Sequence, residues 1–434
     1  MKFKLLAATL ACTSAVWPAY AQDVAEISWV DQNRGDVDQK IDDLFVAPFN
    51  AEHPDIKLTI TRQEDQENFV RMSVQARNAP DILQLNGAAE VTNLARANRI
   101  MALDDYSKKY GWDKLIQPWA LESGRVDGKL YSLPLTYESM VLYFNKETFQ
   151  KLGIEIPKDY AGVVKACEAA MAKDVVCFAN STGGKSSRGE WFSTWQLNAS
   201  AGPKVIYDVL KGTQPASALA PALQQNIDWI KNGWYSKRTD LYLTLGADEA
   251  WGQIAAGQAL MRVSGSWEMS RIKKFCDMDC DWAMMPTLND AVQPNYPLGV
   301  GETLSISADS KNPDAAAEVL NALFTNKTRS AQLLNAIAFE TWVVPVDWNA
   351  EDFSADTDPR YSRFIVDLAD KAGASDIGYT TWTFFPPKTR NYLFESMEAV
   401  IVGGLSADDF VAGIQPLLDS ERDTIPALPT PKAN

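Results

Sequence analysis

The chain has 434 residues, 46% hydrophobic and 22% charged, an ordinary globular balance with enough apolar residues for one large or two medium cores. Its 41 Lys plus Arg against 56 Asp plus Glu give a net charge of −15, a field that opposes phosphate-rich partners, so nucleic acid is not an expected partner. His53 is the only histidine, which leaves no second imidazole for a histidine-rich zinc site and makes a Ser-His-Asp triad depend on that one residue. No metal and no cofactor are expected.

In chain order, Lys2 and Lys4 form a short positive region, Leu5 to Val16 is mostly apolar, and Ala19-Tyr20-Ala21 supplies a cleavage pattern. Residues 1–21 read as a cleaved export signal, because the apolar stretch is well short of the roughly 20 residues that span a bilayer. Its removal takes away Cys12 and leaves Cys167, Cys177, Cys276 and Cys280. In an oxidising compartment, separations of ten and four residues read as two local disulfides, Cys167 with Cys177 and Cys276 with Cys280. Half of a metal site at Cys276 and Cys280 has no matching ligand pair elsewhere in the sequence.

Glu26 to Val30 reads as a strand, and Asp36 to His53 places Ile41, Leu44, Phe45 and Phe49 on one helical face. Lys57 to Arg62 alternates as a strand, Phe69, Val70 and Val74 have helical spacing, and Asp81 to Leu85 is again strand-like. This alternation predicts an α/β fold with parallel pairing. Ser139 to Phe144 is strand-like, Asn145 can cap a helix from Lys146 to Leu152, and Gly153 ends it. Pro313 opens a helix with Ala316, Val319, Leu320, Leu323 and Phe324 on one face. The absence of a Pro/Ser-rich linker in so long a chain suggests two lobes joined by several short crossings.

Several blocks together resemble a known family. Asn50 to Leu58 (NAEHPDIKL), Ala79 to Gln84 (APDILQ), Asp127 to Leu135 (DGKLYSLPL) and Leu142 to Glu147 (LYFNKE) resemble segments of the extracellular solute-binding proteins of bacterial ABC importers, in the branch similar to maltose-binding protein. Gly257 to Met261 with Gly265-Ser266-Trp267, then Leu298 to Gly301 and Ser310 to Ala316, continue the resemblance in family order. One departure is Tyr160-Ala161-Gly162, where the family commonly has Thr-Trp and an acidic residue, which leaves the start of that helix open.

The resemblance implies two α/β lobes of the type II-like periplasmic-binding-protein fold, with a ligand cleft between lobes joined by hinge crossings. The expected division is 22–137 with 304–345 for the N-terminal lobe and 138–303 with 346–434 for the C-terminal lobe. It also implies a monomer in the periplasm, without enzymatic activity, whose partners are a sugar and the membrane permease subunits of an ABC transporter.

Fourteen tryptophans, all but Trp17 outside the leader, favour a sugar as solute. A pyranose offers C–H faces that stack on aromatic rings and a hydroxyl rim that needs carboxylate, amide or guanidinium partners. Trp267 lies in the turn where the family often places a stacking ring. Trp191 and Trp195, at i and i+4 on one helical face, offer a second platform, with one ring reaching the ligand while the other packs, and Trp382 is a third candidate, whereas Trp229 and Trp234 sit in an apolar helical run and are read as packing. From the first lobe, Trp29 and Asp31 end one strand and Gln84 and Asn86 another, where parallel α/β sheets present ligand groups. Glu138 on the outgoing crossing is read as a ligand contact, with Gly301 and Glu302 on the return crossing as further candidates. Arg62 and Arg390 are weighed as hydroxyl donors against a reading as solvated surface charges. The rival readings are a receptor for another polar solute, a polyamine or a glycerol phosphate, and, in a different class, a secreted glycosidase.

Overall fold

In a computed structural model of the chain, the described residues are 24–180, 182–184, 189, 192–236, 238–339, 342–373 and 376–432. The leader at 1–21 and Trp191 lie outside them. Two main sheets carry the chain. The first contains β1 (Ala25–Gln32), β2 (Ile56–Gln63), β3 (Ile82–Asn86), β6 (Leu133–Glu138), β11 (Tyr296–Ile306) and β12 (Ile377–Tyr379). The second runs in the order β10 (Cys280–Ala283), β7 (Met140–Asn145), β9 (Ala259–Gly265) and β8 (Val176–Phe178). A separate hairpin pairs β4 (Arg125–Val126) with β5 (Lys129–Leu130) through Asp127 and Gly128, both at positive φ as a tight primed turn requires.

The strand-helix alternation at the N-terminus gives the expected pairing: β1 lies between β2 and β3 and is parallel to both. Between β1 and β2 the chain is helical over 36–52, with one π-type turn at Asp42–Val46 that still buries Ile41, Phe45 and Phe49. Asn50 fixes the passage into β2, its amide accepting from the Leu58 N–H at 2.7 Å and donating to the Leu58 carbonyl at 3.0 Å. Asn145 caps the helix Lys146–Leu152 by accepting from Glu147 N–H at 2.9 Å, and Gly153 ends it in the left-handed region. The helix left open at Tyr160 begins there, because Asp159 caps it by accepting from Gly162 N–H at 2.8 Å.

Both disulfides are present and both are local. Cys167 on the helix Tyr160–Met171 joins Cys177 on β8, and Cys276 at the end of the helix Met269–Cys276 joins Cys280 at the start of β10. Trp29, Phe45, Leu298 and Leu320 belong to one large apolar core; Leu142, Phe178, Trp229 and Phe384 belong to a second. The chain passes between the two sheets at Ser139, the single residue separating β6 from β7. The C-terminal region is helical, with Pro359–Gly373, Pro387–Ile401 and Ala407–Glu421 the long elements. Among the described residues, no helix is long and apolar enough to cross a membrane.

Candidate functional site

The site is built around β11. This strand pairs antiparallel with β3 and with β6, so that Glu302 lies opposite both Asn86 and Thr136. Its register against β6 shifts on either side of Glu302: Val300 pairs with Tyr137, Glu302 with Thr136, and Gly301 is the extra residue of a bulge. A bulge bends the strand and re-aims the side chains beside it. A Cβ at Gly301 would run into the Glu138 carboxylate, so glycine lets that acid lie directly over the strand.

Arg34 reaches this point from the turn after β1. Its guanidinium is held between Asp31 at 2.8 Å and Glu302 at 2.5 Å, with only 8% of the arginine side chain exposed. Asp31 is wholly buried, and burial pushes its carboxyl up to about 6, with Glu302 adding to the rise and Arg34 opposing it. Gln84, also fully buried, accepts from the Gln32 N–H at 2.8 Å, while its Nε2 has no hydrogen-bond partner among the described residues. Asn86 receives help from the next helix, where Glu90 accepts its N–H at 2.9 Å. The Glu90 carboxyl is pushed up to about 8, chiefly by burial and further by neighbouring Glu67, against the Asn86 N–H and Arg390.

The turn after β9 of the second sheet brings Trp267 against Trp382, which is carried beside β11. Ser266 N–H donates to the Ser139 carbonyl at 2.8 Å, which sets the turn carrying Trp267 beside Glu138. Trp267 meets Trp382 edge to face, with ring centroids 5.5 Å apart and an interplanar angle of 78°. The short helix carrying Trp382 is tied to β11: Val300 N–H donates to Thr383 Oγ1 and Thr380 Oγ1 donates to the Leu298 carbonyl, each at 2.9 Å. Trp382 is nearly buried, and its Nε1 has no hydrogen-bond partner among the described residues. Asp31, Gln84, Asn86, Glu138, Gly301, Glu302, Trp267 and Trp382 are thus linked through β11 and its immediate neighbours.

Two of the expected residues stand elsewhere. Trp29 is completely buried, its ring stacked on Trp342 at 5.0 Å, because its position in β1 points it into the first core. Trp195 is equally buried, packed against Phe178 and Trp229 in the second core. Neither leaves a ring face exposed for stacking. Trp229 and Trp234 pack as expected. Arg62 is neither free nor solvated: it pairs with Asp38 at 3.3 Å and Asp42 at 2.7 Å.

Arg34, Thr136, Glu90 and the threonines at 380 and 383 escaped the sequence reading. Arg34 had one available signal, its place three residues after a strand-ending acid. Glu90 lies four residues after Asn86, in the first turn of the next helix, whereas Thr136, Thr380 and Thr383 become neighbours of the site only through β11. Among the described residues, no group of three His, Cys, Asp or Glu is placed to hold a metal ion, and His53 stacks on Phe49 at 4.4 Å. A cavity of about 490 Å³ beside His53, Lys327 and Arg329 is a separate surface feature, where Arg329 already pairs with Glu52 and Lys327 with Asp352.

Known proteins resemble the chain in both sequence and fold. The sn-glycerol-3-phosphate-binding periplasmic protein UgpB of Shigella dysenteriae is 25% identical over 287 residues, a match spanning 62% of this chain and 63% of that protein. Its counterpart from Escherichia coli K12 is 25% identical over 286 residues, with the same coverage. Among solved structures, a chitin oligosaccharide binding protein superposes with a TM-score of 0.77 at 21% identity, covering 92% of this chain and 99% of its own. The solute-binding protein RafE in complex with raffinose gives a TM-score of 0.67 at 18% identity, covering 91% of this chain and 100% of its own. These likenesses show the two-lobed solute-binding fold. The model of the bacterial extracellular solute-binding protein family matches residues 33–329, well over half of the chain, and the protein belongs to that family.

Proposed function

We propose that the protein is the substrate-binding component of an ABC importer. In this reading it is exported through the signal at residues 1–21, closes over a mono- or oligosaccharide, and delivers it to the membrane permease subunits without making or breaking a bond. The lobes would divide as 22–137 with 304–345 and 138–303 with 346–434, and closure would follow because a solute touching both binds the closed form better than the open one. The protein would act as a monomer.

The observation that carries this reading is the meeting, at β11, of a carboxylate-guanidinium-carboxylate array with an orthogonal pair of tryptophans. A half-buried Trp267 suits the C–H face of a pyranose, and the Trp382 Nε1 suits a hydroxyl acceptor. Glu138 and Glu302 would accept from ring hydroxyls and Asn86 would donate, Gly301 would allow the close approach of Glu138, and Arg34, held between the buried Asp31 and Glu302, would fix the direction of the Glu302 carboxylate. The names of the solved relatives, which bind a chitin oligosaccharide and raffinose, agree with a sugar.

A glycerol phosphate is the second reading, favoured by the name of the UgpB relatives. Against it, a phosphate dianion would enter beside Asp31, Glu138 and Glu302, with the Arg34 guanidinium already held by two of those carboxylates. The test is tryptophan fluorescence and thermal melting of the mature protein against chitobiose, xylobiose, maltotriose, raffinose, sn-glycerol 3-phosphate and spermidine, with each mixture checked for product. A saturable shift with a sugar and no product is expected, since a solute that binds only the folded state raises its apparent stability. A response to the phosphate ester or to spermidine alone would overturn the sugar reading, and product would make the protein an enzyme.

A further inference from the structure

We infer that the buried ion pair between Arg262 and Glu268 is the positioning device for Trp267, and so controls solute affinity without touching the solute; this rests on the sugar-receptor reading above. Arg262 lies in β9, whose residues are all buried, and Glu268 is the residue after Trp267. Their side chains are 1% and 4% exposed. The contact is bidentate: Arg262 Nε donates to Glu268 Oε2 at 2.9 Å and Nη2 donates to Oε1 at 2.7 Å. The remaining capacity is also used, since Nη1 donates to the Ala179 carbonyl at 3.0 Å and Trp251 Nε1 donates to Glu268 Oε2 at 2.8 Å.

This fork clamps one side of a three-residue turn, Ser266–Glu268, that leads from β9 into the helix Met269–Cys276. The other side is held from the first crossing, by the Ser266 N–H on the Ser139 carbonyl and by the Tyr143 hydroxyl donating to the Gly265 carbonyl at 2.8 Å. Trp267 sits between the two clamps. Its ring folds back over Gly265, where a Cβ would collide with the indole, and meets Trp382 on edge.

A fully buried ion pair contributes little to stability compared with well-packed apolar residues of the same volume. What it supplies is direction. Two parallel N–H to oxygen bonds fix the orientation of both partners in a way that apolar packing does not. Glu268 thereby sets the backbone immediately after Trp267, and the ring's tilt against Trp382 follows.

The experiment uses the mature chain with Glu268→Gln, the apolar pair Arg262→Met with Glu268→Leu, Trp267→Ala and Trp267→Phe. Near-ultraviolet circular dichroism reads the tryptophan pair directly, without any solute: the difference between wild type and Trp267→Phe defines its band. Glu268→Gln and the apolar pair are expected to lose that band, the latter while keeping a melting temperature near that of wild type. For the panel sugar that saturates, both are expected to weaken affinity about ten-fold or more, as loss of a buried aromatic anchor does. Added to Trp267→Ala, Glu268→Gln should cost no more than about two-fold further, because the two changes act through one group.

A folded apolar pair that keeps the band and wild-type affinity would overturn the inference. So would an undiminished effect of Glu268→Gln in the Trp267→Ala background, or a Trp267→Ala variant that binds as wild type does. If no sugar saturates, the sugar reading fails, while retention or loss of the band still decides whether the ion pair positions the ring.

Discussion

Replacing Arg34 by leucine removes the cation from a site where Asp31 is completely buried and Glu302 is 16% exposed. Breaking a buried pair by deleting one partner costs about 3–5 kcal/mol, because the surviving charge stays in a poorly solvated place. That cost should depend strongly on pH. The Asp31 carboxyl is already pushed from 3.8 to about 6, so its folded pKa lies above its unfolded value and the native state holds the extra proton. Its contribution to stability is therefore fully present below the unfolded pKa and is lost as pH rises through the folded one. Without Arg34 the folded pKa moves higher still, and the deficit grows toward alkaline pH. Urea unfolding followed by tryptophan fluorescence should show a loss of about 3–5 kcal/mol near pH 8, at least halved near pH 5, with the slope m unchanged. Adding Asp31→Asn should restore more than half of the loss near pH 8. A deficit below about 1 kcal/mol near pH 8, the value of a solvated surface pair, would refute the buried array, as would an equal deficit at both pH values.

Two further outcomes follow from the same physics. Glu90, with its carboxyl raised from 4.5 to about 8, contributes stability that is fully present below the unfolded pKa and is lost as pH rises through about 8. Glu90→Gln should flatten the fall in melting temperature across that window and leave the variant the more stable protein on its alkaline side; an unchanged slope would count against the burial that raises the Glu90 carboxyl. Replacing Cys167 and Cys177 together by serine releases a ten-residue loop and should cost about 2–3 kcal/mol in urea unfolding, most of which wild type should also lose on reduction. A midpoint equal to that of oxidised wild type would show that this bridge constrains nothing.

Local pattern carried far into the fold. The alternation in Lys57 to Arg62 and the short apolar run at Asp81 to Leu85 gave β2 and β3, and the caps at Asn145, Gly153 and Pro313 placed helix boundaries, because period and capping chemistry are properties of neighbouring residues. The cysteine spacing was likewise enough for two local disulfides. For the candidate site, the strand ends Asp31, Gln84 and Asn86 could be named because α/β sheets present side chains where strands end, and the crossings Glu138, Gly301 and Glu302 because the blocks beside them resemble the family's crossings.

What the sequence determined by itself was membership: strand-helix order and a run of family-like blocks that specify a two-lobed solute-binding fold on an acidic chain. What tertiary structure alone decided was how deeply each aromatic ring is buried, with Trp29 and Trp195 wholly enclosed, Trp382 nearly so and Trp267 half-buried. Trp29, Trp195, Trp267 and Trp382 are chemically alike, and burial depends on the elements packed over each ring: Trp342 over Trp29, Phe178 and Trp229 around Trp195. The same holds for charge. Arg34 meets Glu302 across 268 residues of sequence only because β11 returns beside β3, and no local pattern encodes a partner that a long-range strand pairing brings into contact.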